Sequence, residues 1–154
     1  MRTYDERLWP PPWIWLLLWL FALSLGVSFY AALGPAWGLL ALLAPGGLGS
    51  WGLVSSAARV RVESGELVAG PAHIPVRQLG AAEPLDAEAS RATRGPGSDP
   101  AGYHLIRGWV PAGVRVAVLD PADPTPYWFV ATRRPEALAA AIETARLDGE
   151  GYPV

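Results

Sequence analysis

The chain has 154 residues, 51% apolar and 17% charged, with 17 Gly, 16 Pro, 8 Trp, no Cys and a formal net charge of −2. That length holds one ordinary domain, or a small domain plus a membrane anchor. The missing cysteines exclude a disulfide scaffold, a thiol nucleophile and Cys-based zinc or iron–sulfur sites, and the near-neutral charge leaves no footprint for nucleic acid. Placement of charge says more than its total. All 12 basic residues are Arg, and residues 8–58 contain no Asp, Glu, Lys, Arg or His. The chain divides at Arg59 into a part that suits lipid and a part that suits water.

Residues 1–12 read as a cytoplasmic N-terminal segment. It carries Arg2 and Arg7 and ends in Pro10-Pro11-Pro12, which blocks an earlier helix start. Residues 13–57 read as a transmembrane hairpin with spans 13–33 and 36–57, broken at Gly34-Pro35. Each span reaches roughly 30 Å at 1.5 Å per residue, the thickness of a hydrocarbon core. The Leu, Ile, Phe and Val side chains of the first span contribute about −3 to −7 kcal/mol to insertion, those of the second about −2 to −4. The first span therefore inserts alone and the second needs it as a packing partner. Small residues at four-residue spacing supply the contact: Ser24, Ser28 and Ala32, or Ala22 and Gly26, against Gly38, Gly49 and Gly52. Pro45-Gly46-Gly47 predicts a kink or local unwinding in the second span. Trp9, Trp13 and Trp15 at one end, and Phe29, Tyr30 and Trp37 at the other, suit the membrane interface. The first span is too long for a signal-peptide core and a second apolar span follows at once. Arg2 and Arg7 precede the hairpin, Arg59 and Arg61 follow it, and the connection between spans has no Arg. The positive-inside rule then puts both termini in the cytoplasm, in a multi-pass plasma-membrane protein.

Residues 58–147 read as a small cytoplasmic β-rich domain, and 148–154 as a tail. Val60 and Val62 alternate with Arg59, Arg61 and Glu63 as a half-buried strand does. Ser64-Gly65 is a two-residue hairpin turn leading to Glu66-Leu67-Val68-Ala69. His73-Ile74-Pro75-Val76 and Gln78-Leu79 predict a Pro-interrupted edge strand. Asp86 caps a short helix that runs to Arg94, and 95–102 is a loop. Strands follow at 103–107, 114–119 and 127–132; the last is apolar on both faces and so is a central, covered strand. Pro135 and Glu136 start a final helix with Leu138, Ile142 and Ala145 on one face, ended by Gly149 and Gly151. The fold class is α+β: a two-helix hairpin, then a small antiparallel sheet or partly open barrel, with a C-terminal covering helix.

Candidate chemistry is sparse. His73 and His104 are the only histidines, in different strands, without a metal-ligand spacing; His104 reads as a solvent-face or satisfied strand residue. Ser64, Ser90 and Ser98 lack a G-x-S-x-G setting, and no phosphate-binding loop appears. The segment Asp120-Pro121-Ala122-Asp123-Pro124-Thr125-Pro126 is a rigid connection by composition. A sharper reading pairs Asp120 or Asp123 with Arg133 or Arg134, as a polar recognition site or for acid–base work. Arg133-Arg134 before the last helix also suits an anion, lipid phosphate included.

Three segments together resemble a known family: Arg7-Leu8-Trp9, Val60-Arg61-Val62-Glu63-x-Gly65-Glu66-Leu67, and Asp120-Pro-x-Asp-Pro-Thr-Pro-Tyr-Trp-x-Val-x-Thr-Arg-Arg-Pro-Glu-x-Leu138. They are similar to domain-of-unknown-function family 3093, small actinobacterial membrane proteins. The resemblance spans nearly the whole chain and implies two membrane helices, a small cytoplasmic domain and no established activity. The strand order with a closing helix is also similar to bacterial pleckstrin-homology-like domains. The expected function is a non-enzymatic anchored binding or scaffolding module, without cofactor or metal. Its partners are the lipid bilayer and either a protein or lipid headgroups. The alternatives are a membrane-surface enzyme built on Asp120, Asp123, Arg133 and Arg134, and a transporter or channel subunit. The latter lacks the intramembrane charge such pathways use.

Overall fold

A computed structural model describes residues 2–95 and 99–150. Ser98, part of the loop expected at 95–102, and most of the expected tail lie outside the described residues. The chain forms two compact units, Trp9–Ala57 and, discontinuous in sequence, Met1–Leu8 with Ala58–Val154.

The first unit is a pair of helices, α1 (Pro12–Leu33) and α2 (Pro35–Ser55). Pro occupies the start of each, where its missing N–H costs nothing. Gly34 alone joins them, at φ +92°, a conformation that a Cβ would strain. The helices approach closely through Ala22 and Gly26 on α1 and Gly38 and Gly46 on α2, all buried. A Cβ on Gly38 would lie 2.6 Å from Tyr30 Cβ, and one on Gly46 would lie 2.9 Å from the Trp19 ring. Of the two small-residue stripes expected on α1, the Ala22–Gly26 stripe makes the contact. Ser24 and Ser28 are exposed, and Ser28 donates back to the Ser24 carbonyl at 2.8 Å. Gly52 has open space beside it. The unwinding expected at Pro45-Gly46-Gly47 does not occur: α2 runs helical through all three residues. One proline removes a single ladder bond, which the remaining bonds of a long helix tolerate.

The second unit holds two four-stranded sheets, in the orders β1-β2-β3-β4 and β5-β7-β8-β6. In the first, β1 (Arg2–Arg7), β2 (Arg59–Glu63), β3 (Glu66–Ala69) and β4 (Ala72–Pro75) pair antiparallel throughout. Ser64 and Gly65 close the β2–β3 hairpin at φ 53° and 77°, the backbone a two-residue primed turn needs. Within the N-terminal segment expected at 1–12, Arg2–Arg7 forms a strand. Its polar text, Arg-Thr-Tyr-Asp-Glu-Arg, carries no apolar alternation, yet Tyr4 and Glu6 are buried.

After one 3-10 turn (Val76–Gln78) comes β5 (Leu79–Leu85), longer than the two residues the sequence marks. Pro84 is tolerated because β5 is a sheet edge. The Ala82 N–H on that strand donates to Glu143 Oε1 at 3.0 Å. Helix α3 (Ala87–Thr93) is capped by Asp86, whose side chain accepts from the Glu88 and Ala89 N–H groups. Strands β6 (Tyr103–Leu105), β7 (Gly113–Val118) and β8 (Tyr127–Ala131) follow, and α4 (Pro135–Glu150) closes the unit. β8 is central and every one of its residues is buried, as expected. The expectation of a purely antiparallel sheet is corrected by β6, which pairs parallel to β8. β7 and β8 form a hairpin, and β6 takes the free edge of β8. α4 extends through Gly149 rather than ending at it. It packs on β5 and also reaches β1, β2 and β7, burying Leu138 and Ile142 fully.

Gly113 is a sharp test of this packing. A Cβ there would fall 2.6 Å from Phe129 Cζ and 2.8 Å from the Val130 carbonyl oxygen. Gly113→Ala is expected to lower unfolding free energy by roughly 1–3 kcal/mol. Gly108→Ala, with nothing within 4 Å of the added carbon, is expected to leave it unchanged in the same thermal or denaturant melt.

Candidate functional site

Functional side chains gather at the two ends of the β unit. One end is set by the close of β1 and the start of β2. Arg7 and Arg59 are direct cross-strand partners there, a like-charged pairing that is unfavourable by itself. Asp5 offsets it by taking Arg59 in a two-bond fork, Nε to Oδ1 at 2.9 Å and the second nitrogen to Oδ2 at 2.6 Å. The carboxylate holds the exposed guanidinium still more firmly in its charged form. One residue on, the Leu8 N–H donates to the Ala58 carbonyl at 2.8 Å, and Trp109 Nε1 donates to the Leu8 carbonyl at 3.3 Å. The loop between β6 and β7 is thereby tied to the same end. Tyr103 adds a second tie, its hydroxyl donating to the Ala69 carbonyl at 2.8 Å. Burial raises the Tyr103 pKa, with Arg107 pulling the other way.

Beside these lies a buried polar knot that the sequence does not reveal. The Tyr4 hydroxyl donates to Glu6 Oε2 at 2.7 Å, the Thr132 hydroxyl donates to the same oxygen at 2.6 Å, and the two hydroxyls are 2.8 Å apart. Glu6 Oε1 accepts from the Arg133 N–H at 3.3 Å and faces the Arg133 guanidinium at 3.9 Å. The Arg134 N–H donates to Thr132 Oγ1 at 3.0 Å, its guanidinium donates to the Asp5 carbonyl at 3.3 Å, and that group lies 5.0 Å over the Tyr4 ring. The knot fastens the β8–α4 corner to β1. Burial, then the neighbouring Glu6 carboxylate, push the Tyr4 hydroxyl pKa up to about 12.

The other end holds the β7–β8 connection and the β2–β3 turn. Asp120 accepts from the Ala122 N–H through Oδ1 and from Gln78 Nε2 through Oδ2, both at 2.9 Å. Asp123 Oδ1 accepts from the Thr125 N–H at 2.8 Å. That backbone donor, helped by the Thr125 side chain, holds the Asp123 carboxyl below the usual range. The Val76 N–H donates to the Gly65 carbonyl at 2.8 Å, which brings the Ser64-Gly65 turn to this end. Glu63 and Glu66 flank the turn, and Asp148 shares a groove with it. Arg61 faces Glu63 at 3.5 Å, and Arg2 is the cross-strand partner of Glu63.

The four residues expected to converge therefore do not. Asp120 and Asp123 precede β8, and Arg133 and Arg134 follow it. Five residues of extended strand hold the pairs about 17 Å apart. The carboxylates brace their own loop and the arginines brace β1. His104 is half-buried and satisfied, with Nε2 3.1 Å from the Tyr127 hydroxyl; His73 is exposed in β4, in the other sheet. Trp128 is buried and packs on Tyr103 at 4.4 Å between ring centroids. Ser90 is buried in α3 rather than in a turn. A groove of about 330 Å³ on the outer face of the second sheet is lined by Glu83, Asp99, Arg115 and Tyr127. Its cation is engaged, with the Arg115 guanidinium 4.6 Å over the Tyr127 ring.

Two long apolar helices, two small sheets and a closing helix define an α+β protein. The chain belongs to the family described as "Protein of unknown function (DUF3093)", which matches residues 3–142. No curated protein and no solved structure matches it.

Two outcomes test the knot. Thr132→Val is expected to cost roughly 1–3 kcal/mol, because it takes a donor from the buried Glu6 carboxylate and the side-chain acceptor from the Arg134 N–H. Tyr4 titrates higher folded than unfolded, so its contribution is complete below pH 10 and is lost as pH rises toward 12. Alkaline unfolding followed by tyrosinate absorbance is expected to lose part of its steepness in that window in Tyr4→Phe.

Proposed function

We propose that α1 and α2 cross the plasma membrane as a hairpin and that the β unit is a non-enzymatic binding module displayed in the cytoplasm. The observation that carries the reading is the exposure of large apolar side chains along both helices: Leu16 68%, Leu20 59%, Leu48 71% and Trp51 73%. Only 11% of each apolar window is buried, which speaks against a core helix of a water-soluble domain. Each such side chain left in water forgoes about 1.5–3 kcal/mol, and lipid removes that penalty. Both helices are long and apolar enough to span.

Pairing of β1 with β2 supports the topology. β1 precedes α1 and β2 follows α2, yet they share a ladder. Strands on opposite sides of a bilayer cannot pair, so the chain crosses an even number of times. The Arg residues at both flanks, and none between the helices, favour the cytoplasm for both ends. The same pairing argues against a cleaved leader, since removal of α1 takes β1 and Glu6 with it.

The binding role is supported by a compact unit in which Asp120 and Asp123 are held apart from Arg133 and Arg134. Full-length protein is expected to stay in the membrane pellet after a carbonate wash, and a reporter fused after Val154 is expected to read cytoplasmic. Recovery in the wash, or an external reporter signal, would overturn the anchor or the orientation respectively.

A further inference from the structure

The groove on the outer face of the second sheet lies apart from the knot and the β7–β8 turn. Ala81 on β5 and Ala117 on β7 are small and exposed, and they floor its volume of about 330 Å³. In the strand order β5-β7-β8, Glu83 borders it on the β5 side and Tyr127 on the β8 side. Asp99 reaches the Tyr127 side from the loop before β6, where its carbonyl accepts from the Tyr127 hydroxyl at 3.4 Å.

Glu83 and Arg115 are direct cross-strand partners, a pairing of opposite charges that favours a salt bridge. They do not form one, because the Arg115 guanidinium stacks 4.6 Å over the Tyr127 ring of β8 instead. Stacking occupies the flat face of the guanidinium and leaves its N–H edge open to a planar acid group. Among the described residues, neither the Glu83 nor the Arg115 side chain has a hydrogen bond or an ion pair. Asp99 Oδ1 accepts from the Ala101 N–H at 2.9 Å, and no described cation pairs with its carboxylate. The groove therefore presents one guanidinium and two carboxylates. A matching ligand carries one acid group and two ammonium groups. The acid and the first ammonium are close together, because Arg115 and Glu83 are neighbours across the ladder. The second ammonium lies farther off, since β5 and β8 are two strand spacings, or about 10 Å, apart. A basic α-amino acid has this pattern: an acid and an ammonium on one carbon, and a flexible four-carbon stem to the other charge. Its methylenes suit a floor of two alanines.

We infer that this groove binds a free basic α-amino acid of the lysine type, its carboxylate on Arg115, its α-ammonium on Glu83 and its side-chain ammonium on Asp99. The stack on Tyr127 fixes Arg115 before the ligand arrives and so lowers the ordering cost of binding. This rests on the reading of the β unit as a non-enzymatic binding module and names the class of ligand that the module takes.

Each charge can be tested with its own probe. Full-length protein in nanodiscs is titrated calorimetrically with lysine and with three analogues that each lack one charge. Cadaverine lacks the carboxylate, ε-aminocaproate the α-ammonium and norleucine the side-chain ammonium. Lysine is expected to bind saturably, and each analogue roughly tenfold more weakly at low salt, the loss of one charged hydrogen-bonding group. Arg115→Gln is expected to erase the preference over cadaverine alone, Glu83→Gln that over ε-aminocaproate, and Asp99→Asn that over norleucine. All three positions are exposed, so the variants are expected to melt with the parent protein. Ala117→Trp, which fills the exposed floor, is expected to abolish binding of all four. No saturable lysine binding overturns the inference, and so does binding whose preferences no variant changes, which puts the site elsewhere. Equal affinity for ε-aminocaproate, which carries the charges of a lysine at a protein C-terminus, also overturns it and gives the groove to a chain end. The two readings fail separately. Lysine recovered chemically changed, read by mass spectrometry, removes the non-enzymatic reading and supports the groove as its site; lysine that does not bind removes the ligand and leaves the module.

Discussion

The ladder between β1 and β2 is the constraint on which the rest depends. It joins residues on either side of an uncharged stretch running from 8 to 58. A strand of six residues with four charges among them is a poor strand by itself; pairing, the Asp5–Arg59 fork and the buried Glu6 hold it in place. Because its two partners flank the hairpin, the ladder ties the apolar segment into a closed loop. The β unit is complete only when both flanks lie on one side of any barrier the helices cross.

The polar knot explains how a buried carboxylate is accommodated so close to that ladder. Glu6 accepts from two hydroxyls and a backbone N–H, with a guanidinium nearby. Satisfied in this way, its burial costs far less than that of an isolated charge. Thr132 serves both sides, donating to Glu6 and accepting from the Arg134 N–H. One threonine thereby couples the last strand, the start of α4 and the first strand of the chain.

β8 governs the fate of the expected site. Its five buried residues make it the middle of the second sheet, and a strand in that position is straight and extended. Residues before and after it are close in sequence but lie at opposite ends of the unit. Asp120 and Asp123 find donors in their own turn and in Gln78, while Arg133 and Arg134 find acceptors in β1. Proximity along the chain suggested a cluster; the rise per residue of a strand dissolved it.

Patterns with a short period were legible in the residues alone. The uncharged stretch, the Gly34-Pro35 break, the Val60–Val62 alternation with its Ser64-Gly65 turn, the Asp86 cap and the covered strand at Tyr127 all follow from local chemistry, because each depends on neighbours a few positions away. β1, most of β5 and the parallel pairing of β6 depended on partners tens of residues distant, and no local periodicity marks them. The same holds for the knot, where Glu6 and Thr132 are 126 positions apart. Sequence by itself determined which part is uncharged and apolar and where the chain turns. Only the tertiary structure decided which charges meet, because a strand ladder sets its distances across the chain rather than along it.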